Sequence, residues 1–327
     1  MSSLAAKTLD LAFRALMVRD LSTHDKLVKQ TRRLIKFVRP PAMLPSGVTV
    51  RKTTIANTPG VPPGSPAYCV STKNPTSTVL YVHGGAFICG VFSTYANICG
   101  QLAKRLNARV FWVDYRLAPE MPYPAPLDDV FNAYSALATD YPKQPLAIIG
   151  DSAGGNLALG TLLRVRDTVA SGECDSSLRL PACVVAMSPI TDFASELPSR
   201  KANAKSDCVL TPQIIQFAGE MYLNGHDPRD PYVSPVYGVL QGLPPIMMAV
   251  SDIEAMRDDV YRFAHCARKE GVRVEILSRD DVPHAWPVLY SILPEARKDI
   301  AEISRFMRTH LQTDSFIKGV ASGRNAA

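Results

Sequence analysis

Residues 145–160 read PLAIIGDSAGGNLALG, and their pattern is the strongest indication of fold class in the chain. The apolar run 145–150 predicts a buried strand, and a helical pattern begins directly after Ser152. Between them, Gly150-Asp151-Ser152-Ala153-Gly154 forms a GxSxG motif at a sharp strand-to-helix turn, where the flanking positions must be small. In this context the motif predicts that Ser152 is a nucleophile. The alternative is a glycine-rich turn that carries an incidental serine.

The same strand-and-helix rhythm extends along most of the chain and predicts an α/β fold. Near-continuous apolar strands are typical of a parallel sheet that is covered by helices on both faces. The predicted strands are 48–56, 66–72, 78–83, 109–115, 145–150, 182–188, 245–250 and 272–278. The predicted helices between and after them are 93–106, 126–139, 153–168, 257–270 and 295–311.

Two segments lie outside this rhythm. Residues 1–45 carry amphipathic helical patterns, and residues 190–230 are rich in Pro, Ser, Asp and Lys with one short helix near 212–222. We expect both to form a cap over a catalytic core of residues 46–320, with a flexible tail at 321–327. Packing against the core is the alternative for the N-terminal helices, and contact with a membrane surface is less favoured because acidic residues interrupt the apolar stripe.

The bulk composition excludes several classes of protein. The 327 residues carry a net charge of +6 and are 46% hydrophobic, which is ordinary for a globular chain. The basic clusters lack interleaved aromatics, so no nucleic-acid partner is predicted. No apolar run is long enough to predict a membrane span, and the seven cysteines show no zinc-binding spacing, so no metal is predicted. The thiol pattern and the absence of a signal-peptide pattern predict a cytoplasmic protein.

A second glycine-rich motif, HGGAF at residues 83–87, directly follows a predicted strand. Backbone amides stabilise an oxyanion only where the chain passes close to the substrate, which glycine permits. We therefore expect the amides of Gly84, Gly85 and Ala153 to form an oxyanion hole. His83 precedes the loop and is expected to brace it by hydrogen bonding, with a role as general base as the less favoured alternative.

Taken together, the motifs identify a family that the chain resembles: the hormone-sensitive-lipase-like esterases, over nearly all of its length. The landmarks are HGGAF (83–87), DYRLAPE (114–120), YPAPLDD (123–129), GDSAGGNLA (150–158), SPITD (188–192), DPRDPYVSP (227–235), GLPP (242–245) and PHAW (283–286). The resemblance implies an α/β-hydrolase fold with an eight-stranded, mostly parallel sheet and a helical cap. It also implies hydrolysis of esters with modest acyl chains, no cofactor and often a homodimer. One departure is Ala86, where the family more often has a third glycine.

A serine hydroxyl needs a base and an orienting acid to act as a nucleophile. His284 lies in the loop after the last predicted strand, where the Ser-acid-His chain order of this fold places the base. The resemblance aligns the family's pair of acids with Asp258-Asp259 and so puts Glu254 in the position of the catalytic acid. Asp252, two residues earlier, is the alternative acid.

These residues predict a serine carboxylesterase. Its substrates are expected to be small-molecule esters with short to medium acyl chains, hydrolysed through an acyl-enzyme intermediate. Phe87, Tyr115 and Trp286 are expected to line the substrate pocket. An acyltransferase, a lactone-forming enzyme or another non-hydrolytic enzyme with the same site is the first alternative. A catalytically silent receptor is less favoured because a Ser, a His and an acid all remain.

Overall fold

A computed structural model describes residues 3–16, 22–37, 44–55, 64–172 and 176–312 of the chain. The expected tail at 321–327 lies outside the described residues, as do parts of the expected cap segment 1–45.

A single eight-stranded sheet forms the centre of the fold, with the strands in the order β1-β2-β4-β3-β5-β6-β7-β8. β2 pairs antiparallel with both β1 and β4, and all other neighbours pair parallel. The strands are β1 (Thr49–Ile55), β2 (Ser65–Ser71), β3 (Ser77–Val82), β4 (Ala108–Val113), β5 (Leu146–Asp151), β6 (Cys183–Met187), β7 (Ile246–Ser251) and β8 (Val274–Arg279). The prediction of an eight-stranded, mostly parallel α/β-hydrolase sheet is confirmed.

Helices cover both faces of this sheet and bury two apolar cores. The helices are α1 (Leu4–Leu16), α2 (His24–Phe37), α3 (Phe92–Leu106), α4 (Ala125–Asp140), α5 (Ala153–Ser171), α6 (Pro198–Ala202), α7 (Pro212–Leu223), α8 (Arg257–Lys269) and α9 (Pro294–Leu311). One core contains α3 and α9, and the other contains α4, α5 and α8. Side chains alternate along β3, so that Val79 and Tyr81 enter the first core while Leu80 and Val82 enter the second.

The parallel strands bring three chain segments to one edge of the sheet. β5, β7 and β8 run in the same direction, and the loops that follow them carry Ser152, Glu254 and His284. The carboxyl edge of a parallel sheet is where α/β proteins build their sites, because the loops there are free to vary while the strands hold them in place.

Two helices from outside the sheet meet above this edge. α2 contacts α7, where His24 Nε2 lies 2.7 Å from Glu220 Oε2 and the His24 ring packs edge-on against Phe217. Leu27 of α2 and Ile214 of α7 line the same cavity above Ser152. Among the described residues, no helix has the length and apolar character to cross a membrane.

Candidate active site

Ser152 lies at the turn between β5 and α5 in a strained backbone conformation, with φ 51° and ψ −120°. The two flanking glycines explain why this turn can form. A Cβ at Gly150 would lie 2.3 Å from the carbonyl oxygen of Gly154, and a Cβ at Gly154 would lie 2.1 Å from that of Val82. The spacing of the motif is therefore a steric requirement of the turn that presents the Ser152 hydroxyl.

The side chains of Ser152, His284 and Glu254 form one continuous chain of contacts. His284 Nε2 lies 2.9 Å from Ser152 Oγ, and His284 Nδ1 lies 2.6 Å from Glu254 Oε2. Asp252, the alternative acid, is instead within hydrogen-bond distance of the Tyr261 hydroxyl, at 3.4 Å. Of the two acids, only Glu254 contacts the imidazole.

The environment of His284 favours its role as a proton acceptor. Burial alone would lower the pKa of His284, but the hydrogen bond and the negative charge of Glu254 outweigh burial and raise the pKa above its ordinary value. The contact with Glu254 also places the Nδ1 proton toward the carboxylate and leaves Nε2 to accept from Ser152.

Ser188, which the sequence analysis did not single out, links the acid to the base. Its hydroxyl donates to Glu254 Oε1 at 2.9 Å and accepts from the Ala285 amide at 3.1 Å. The Ser251 amide donates to the same carboxylate oxygen at 2.9 Å. The carboxylate of Glu254 is thus oriented from both sides. The only sequence signal for Ser188 was its place in the SPITD landmark.

The segment that follows α6 holds the loop 252–255, which carries Glu254. Asn203 Nδ2 donates to the carbonyl oxygens of Asp252 and Glu254, at 3.0 and 2.9 Å. Ser206 Oγ donates to the carbonyl between them, that of Ile253, at 2.9 Å. Three consecutive carbonyl groups of the loop are therefore fixed by side chains from one short segment.

Asp207 extends this attachment to the wall of the cavity. One carboxylate oxygen accepts from the Ala255 amide at 2.8 Å, and the other accepts from the amides of Val209 and Leu210 at 2.8 and 2.9 Å. Val209 and Leu210 line the cavity above Ser152. One carboxylate thus ties the loop of the acid to residues that face the substrate.

The HGGAF loop approaches Ser152, and its two glycines face different groups. Gly84 lies against Asp151: a Cβ at Gly84 would be 2.3 Å from the Asp151 carboxylate, and the Gly84 amide hydrogen-bonds to that carboxylate. Gly85 and Ala86 line the cavities at Ser152, as does Ala153, whereas Gly84 lines neither. Gly84 therefore faces Asp151, and its predicted place in the oxyanion hole stays a prediction.

Asp151 is buried beside the nucleophile and accepts hydrogen bonds from the hydroxyls of Tyr81 and Tyr95 at 3.1 and 3.3 Å. Burial raises its pKa to about 6, although these hydrogen bonds and that of the Gly84 amide act in the opposite direction. Asp151 therefore holds the glycine loop in place, and its negative charge contributes, after that of Glu254, to the raised pKa of His284.

His83 and Tyr115 brace the loop from below. The His83 ring is stacked between Trp112 and Tyr115, and its Nδ1 lies 2.7 Å from the carbonyl oxygen of Gly84. Burial lowers the pKa of His83 to about 4, so the ring is neutral at physiological pH. The Tyr115 hydroxyl donates to the His83 carbonyl at 2.7 Å.

Two cavities meet at Ser152, and their lining residues can be compared with the predicted pocket residues Phe87, Tyr115 and Trp286. The larger holds about 170 Å³ and is lined by residues that include Leu27, Thr31 and His284, while the smaller holds about 30 Å³ and is lined in part by Phe87.

Unlike the prediction, neither of these cavities is lined by Tyr115 or Trp286. Both rings are fully buried, and each directs its polar atom into the core: Tyr115 to His83, and Trp286 Nε1 to Asp299 at 2.8 Å. The described residues contain no group of three or more side chains that could hold a metal ion.

A protein-family model described as alpha/beta hydrolase fold matches residues 79–288. The chain is an α/β-hydrolase. Among curated proteins, this α/β-hydrolase is 32% identical to an acetyl-hydrolase of Streptomyces hygroscopicus over 259 residues, which cover 76% of this chain and 84% of that protein. It is 34% identical to an esterase of Acinetobacter venetianus over 233 residues, which cover 71% and 74% of the two chains.

Solved structures extend the similarity to the whole fold of this α/β-hydrolase. An esterase from the bacterial hormone-sensitive lipase family superposes with a TM-score of 0.81 at 29% identity, covering 95% of this chain and 99% of that one. The esterase EstE5, in a crystal soaked with p-nitrophenyl butyrate, gives a TM-score of 0.82 at 30% identity and covers 95% and 100%. The resemblance to hormone-sensitive-lipase-like esterases is confirmed.

Proposed function

We propose that this α/β-hydrolase is a serine carboxylesterase in which Ser152 is the nucleophile, His284 the general base and Glu254 the orienting acid. One observation carries the proposal: the imidazole of His284 lies within hydrogen-bond distance of the Ser152 hydroxyl on one side and the Glu254 carboxylate on the other. The relatives named esterase and acetyl-hydrolase support the same class of reaction.

In the first half-reaction, Ser152 Oγ attacks the ester carbonyl carbon while its proton passes to His284 Nε2. The carbonyl oxygen becomes an anion, and the amides of Gly85, Ala86 and Ala153 are the donors we assign to it. Collapse of the tetrahedral intermediate breaks the bond to the alcohol oxygen, which takes the proton from His284. The acyl group then remains on Ser152 as an ester.

In the second half-reaction, His284 takes a proton from a water molecule as that water attacks the acyl-enzyme. The same three amides hold the oxyanion, and the proton returns to Ser152 as the carboxylic acid leaves. Glu254 stays ionised throughout and stabilises the imidazolium that forms twice in each cycle.

The substrates we propose are esters with short to medium acyl chains. The two cavities at Ser152 hold about 170 and 30 Å³, which limits the groups that fit beside the hydroxyl. A curated relative from Pseudomonas putida, 29% identical over 242 residues, is named ethyl acetate hydrolase, which fits this size range. The homodimer and the cytoplasmic location expected from the sequence stay predictions, which light scattering and cell fractionation test.

Labelling with a fluorescent serine-directed phosphonate tests the proposal. We expect rapid labelling that Ser152→Ala abolishes, together with loss of p-nitrophenyl acetate hydrolysis. Ser171→Ala, at the other end of the same helix, is the matched control and should label as the parent does. Persistence of labelling in Ser152→Ala would refute the assignment of the nucleophile. Product analysis with an added alcohol acceptor separates hydrolysis from the alternative of acyl transfer.

A further inference from the structure

The two cavities at Ser152 differ in one respect that gives each a role in the proposed reaction. The larger cavity is lined by His284, whereas the smaller is lined by Ala153, Ile190 and Met256 and does not include His284. The leaving alcohol must take its proton from His284 Nε2, so its oxygen has to be on the His284 side. The larger cavity is therefore the alcohol side, and the smaller one is the acyl side.

The acyl side is short. Its volume of about 30 Å³ has room for about two water-sized groups, which corresponds to an acetyl or propionyl chain. Phe193 and Ile215 line its wall, and the same two residues line a much larger groove of about 760 Å³. A wall of two side chains thus separates the end of the acyl cavity from the groove.

The Phe193 ring is held firmly in that wall. Its backbone amide donates to Ser234 Oγ at 2.8 Å, and its ring centroid lies 6.1 Å from that of Phe87 and 5.9 Å from that of Tyr222. A Cβ at Gly219 of α7 would lie 3.2 Å from the Phe193 ring, so the ring packs closely against the helix at this glycine. Phe193 therefore has a fixed place from which it can limit the acyl chain.

The groove beyond Phe193 has the surface that an alkyl chain needs. Leu197, Ile215 and Leu223 contribute apolar side chains to it, and the charged groups of Lys201 and Glu220 lie among its lining residues. A chain that passed the wall would bury its methylene groups against these apolar side chains, and this burial would favour binding.

We propose that Phe193 determines acyl-chain length: within the short- to medium-chain range its ring makes the enzyme prefer acyl groups of about two to three carbons, and its removal opens the groove of residues 193–228 to longer alkyl chains. This inference rests on the proposed esterase function, because it assigns sides to that reaction. It adds a specificity-determining residue and an unused binding groove for fatty acyl chains.

The test compares kcat/KM for p-nitrophenyl decanoate and p-nitrophenyl acetate in the parent enzyme and in Phe193→Ala. We expect the decanoate-to-acetate ratio to rise about tenfold or more in the variant, the size of effect that hydrophobic pocket changes produce. Phe131→Ala is the matched control, since Phe131 of α4 packs its ring under Arg164 of α5 and lines none of the three cavities; its ratio should equal that of the parent.

A second substitution tests the route of the chain. Leu223→Gln places a polar group in the groove, and in the Phe193→Ala background it should reverse most of the gain on decanoate. An unchanged ratio in Phe193→Ala would overturn the proposal, and a gain that Leu223→Gln does not affect would overturn the assignment of the groove.

If Phe193→Ala fails to fold, Ile215→Ala removes the other half of the same wall and must raise the ratio. Failure of the esterase function itself would appear separately, as loss of acetate hydrolysis in the parent.

Discussion

At the scale of single residues, Glu254 and Asp252 lie two positions apart in one loop, yet only Glu254 contacts the imidazole of His284. We expect Glu254→Gln to lower kcat for p-nitrophenyl acetate by about 10³- to 10⁴-fold, because the amide fixes the wrong tautomer and cannot stabilise the imidazolium. Asp252→Asn, the matched control, should stay within about threefold of the parent. The opposite ranking in steady-state kinetics would assign the acid to Asp252.

The same residue pair predicts a pH dependence. Because Glu254 raises the pKa of His284 above its ordinary value of 6.5, activity should fall as the pH drops through that raised pKa and His284 becomes protonated. Glu254→Gln removes the raising interactions and leaves burial, so the acidic limb should move to lower pH. The rate of phosphonate labelling against pH measures this even where turnover is slow. Glu254→Asp keeps the negative charge, so the acidic limb of its pH–rate profile should stay near that of the parent. If the parent, Glu254→Gln and Glu254→Asp all show the same acidic limb, the assignment of Glu254 is contradicted.

The residues whose amides or rings the sequence could not orient share a physical cause. Gly84 and Ala86 belong to one motif, but the direction of each amide depends on backbone dihedrals, such as the φ of 54° at Ala86, that no residue pattern specifies. Tyr115 and Trp286 lie within the DYRLAPE and PHAW landmarks, but whether an aromatic ring turns into a cavity or into the core depends on its neighbours. Ser152 and His284 were predictable because the turn and the chain order of the fold impose their positions.

At the scale of elements, Asn203 lies outside the cavity at Ser152 and contacts the loop that carries Glu254. Asn203→Ala removes two hydrogen bonds to that loop, so we expect kcat to fall about 10- to 100-fold through misplacement of the carboxylate, with KM little changed. Asn224→Ala, at the end of α7, is the control and should leave kcat as in the parent. An increase in KM with constant kcat would instead assign Asn203 to substrate binding.

Secondary-structure elements were predictable where burial decides the pattern. β7 reads IMMAVS and is buried at every position, so its apolar run is a direct consequence of helices on both faces of the sheet. The segment around Asn203 has no such signal. The preceding helix α6 is only five residues long, and the contacts of Asn203 reach residues about fifty positions away in the chain. Long-range polar contacts of this kind leave no periodicity in a single sequence.

At the scale of the whole molecule, one arginine attaches α2 to the body of the enzyme. Arg32 donates to the carbonyls of Ile88 and Ala118 at 2.8 and 3.2 Å and forms a two-point ion pair with Glu120 at 2.6 and 2.7 Å. Ile88 follows the HGGAF loop, and it lines the alcohol-side cavity together with two residues of α2. Arg32 therefore couples the position of the expected cap to that of the oxyanion loop.

This attachment should withstand mild acid. The hydrogen bond from Arg32 lowers the pKa of Glu120 to about 2, so the pairing contributes at neutral pH and is lost only as the pH falls through that value. Between pH 7 and pH 5, a range chosen to span the ordinary pKa of about 6.5 for histidine, kcat/KM should decline while the hydrogen-exchange protection of residues 24–37, corrected for intrinsic rates, stays constant. Loss of that protection together with activity would show that acid releases the cap.

Arg32→Gln should loosen α2 without disturbing the catalytic residues. An exposed ion pair alone contributes about 0–1 kcal/mol, so we expect little change in thermal stability but faster hydrogen exchange across residues 24–37. Because α2 forms part of the alcohol-side wall, KM for esters of bulky alcohols should rise while kcat changes little. Arg305→Gln is the matched control, since that exposed side chain pairs only with the neighbouring Glu302 among the described contacts. If both variants behave alike, the helix is held by its apolar contacts, and Arg32 has no special part in shaping the cavity.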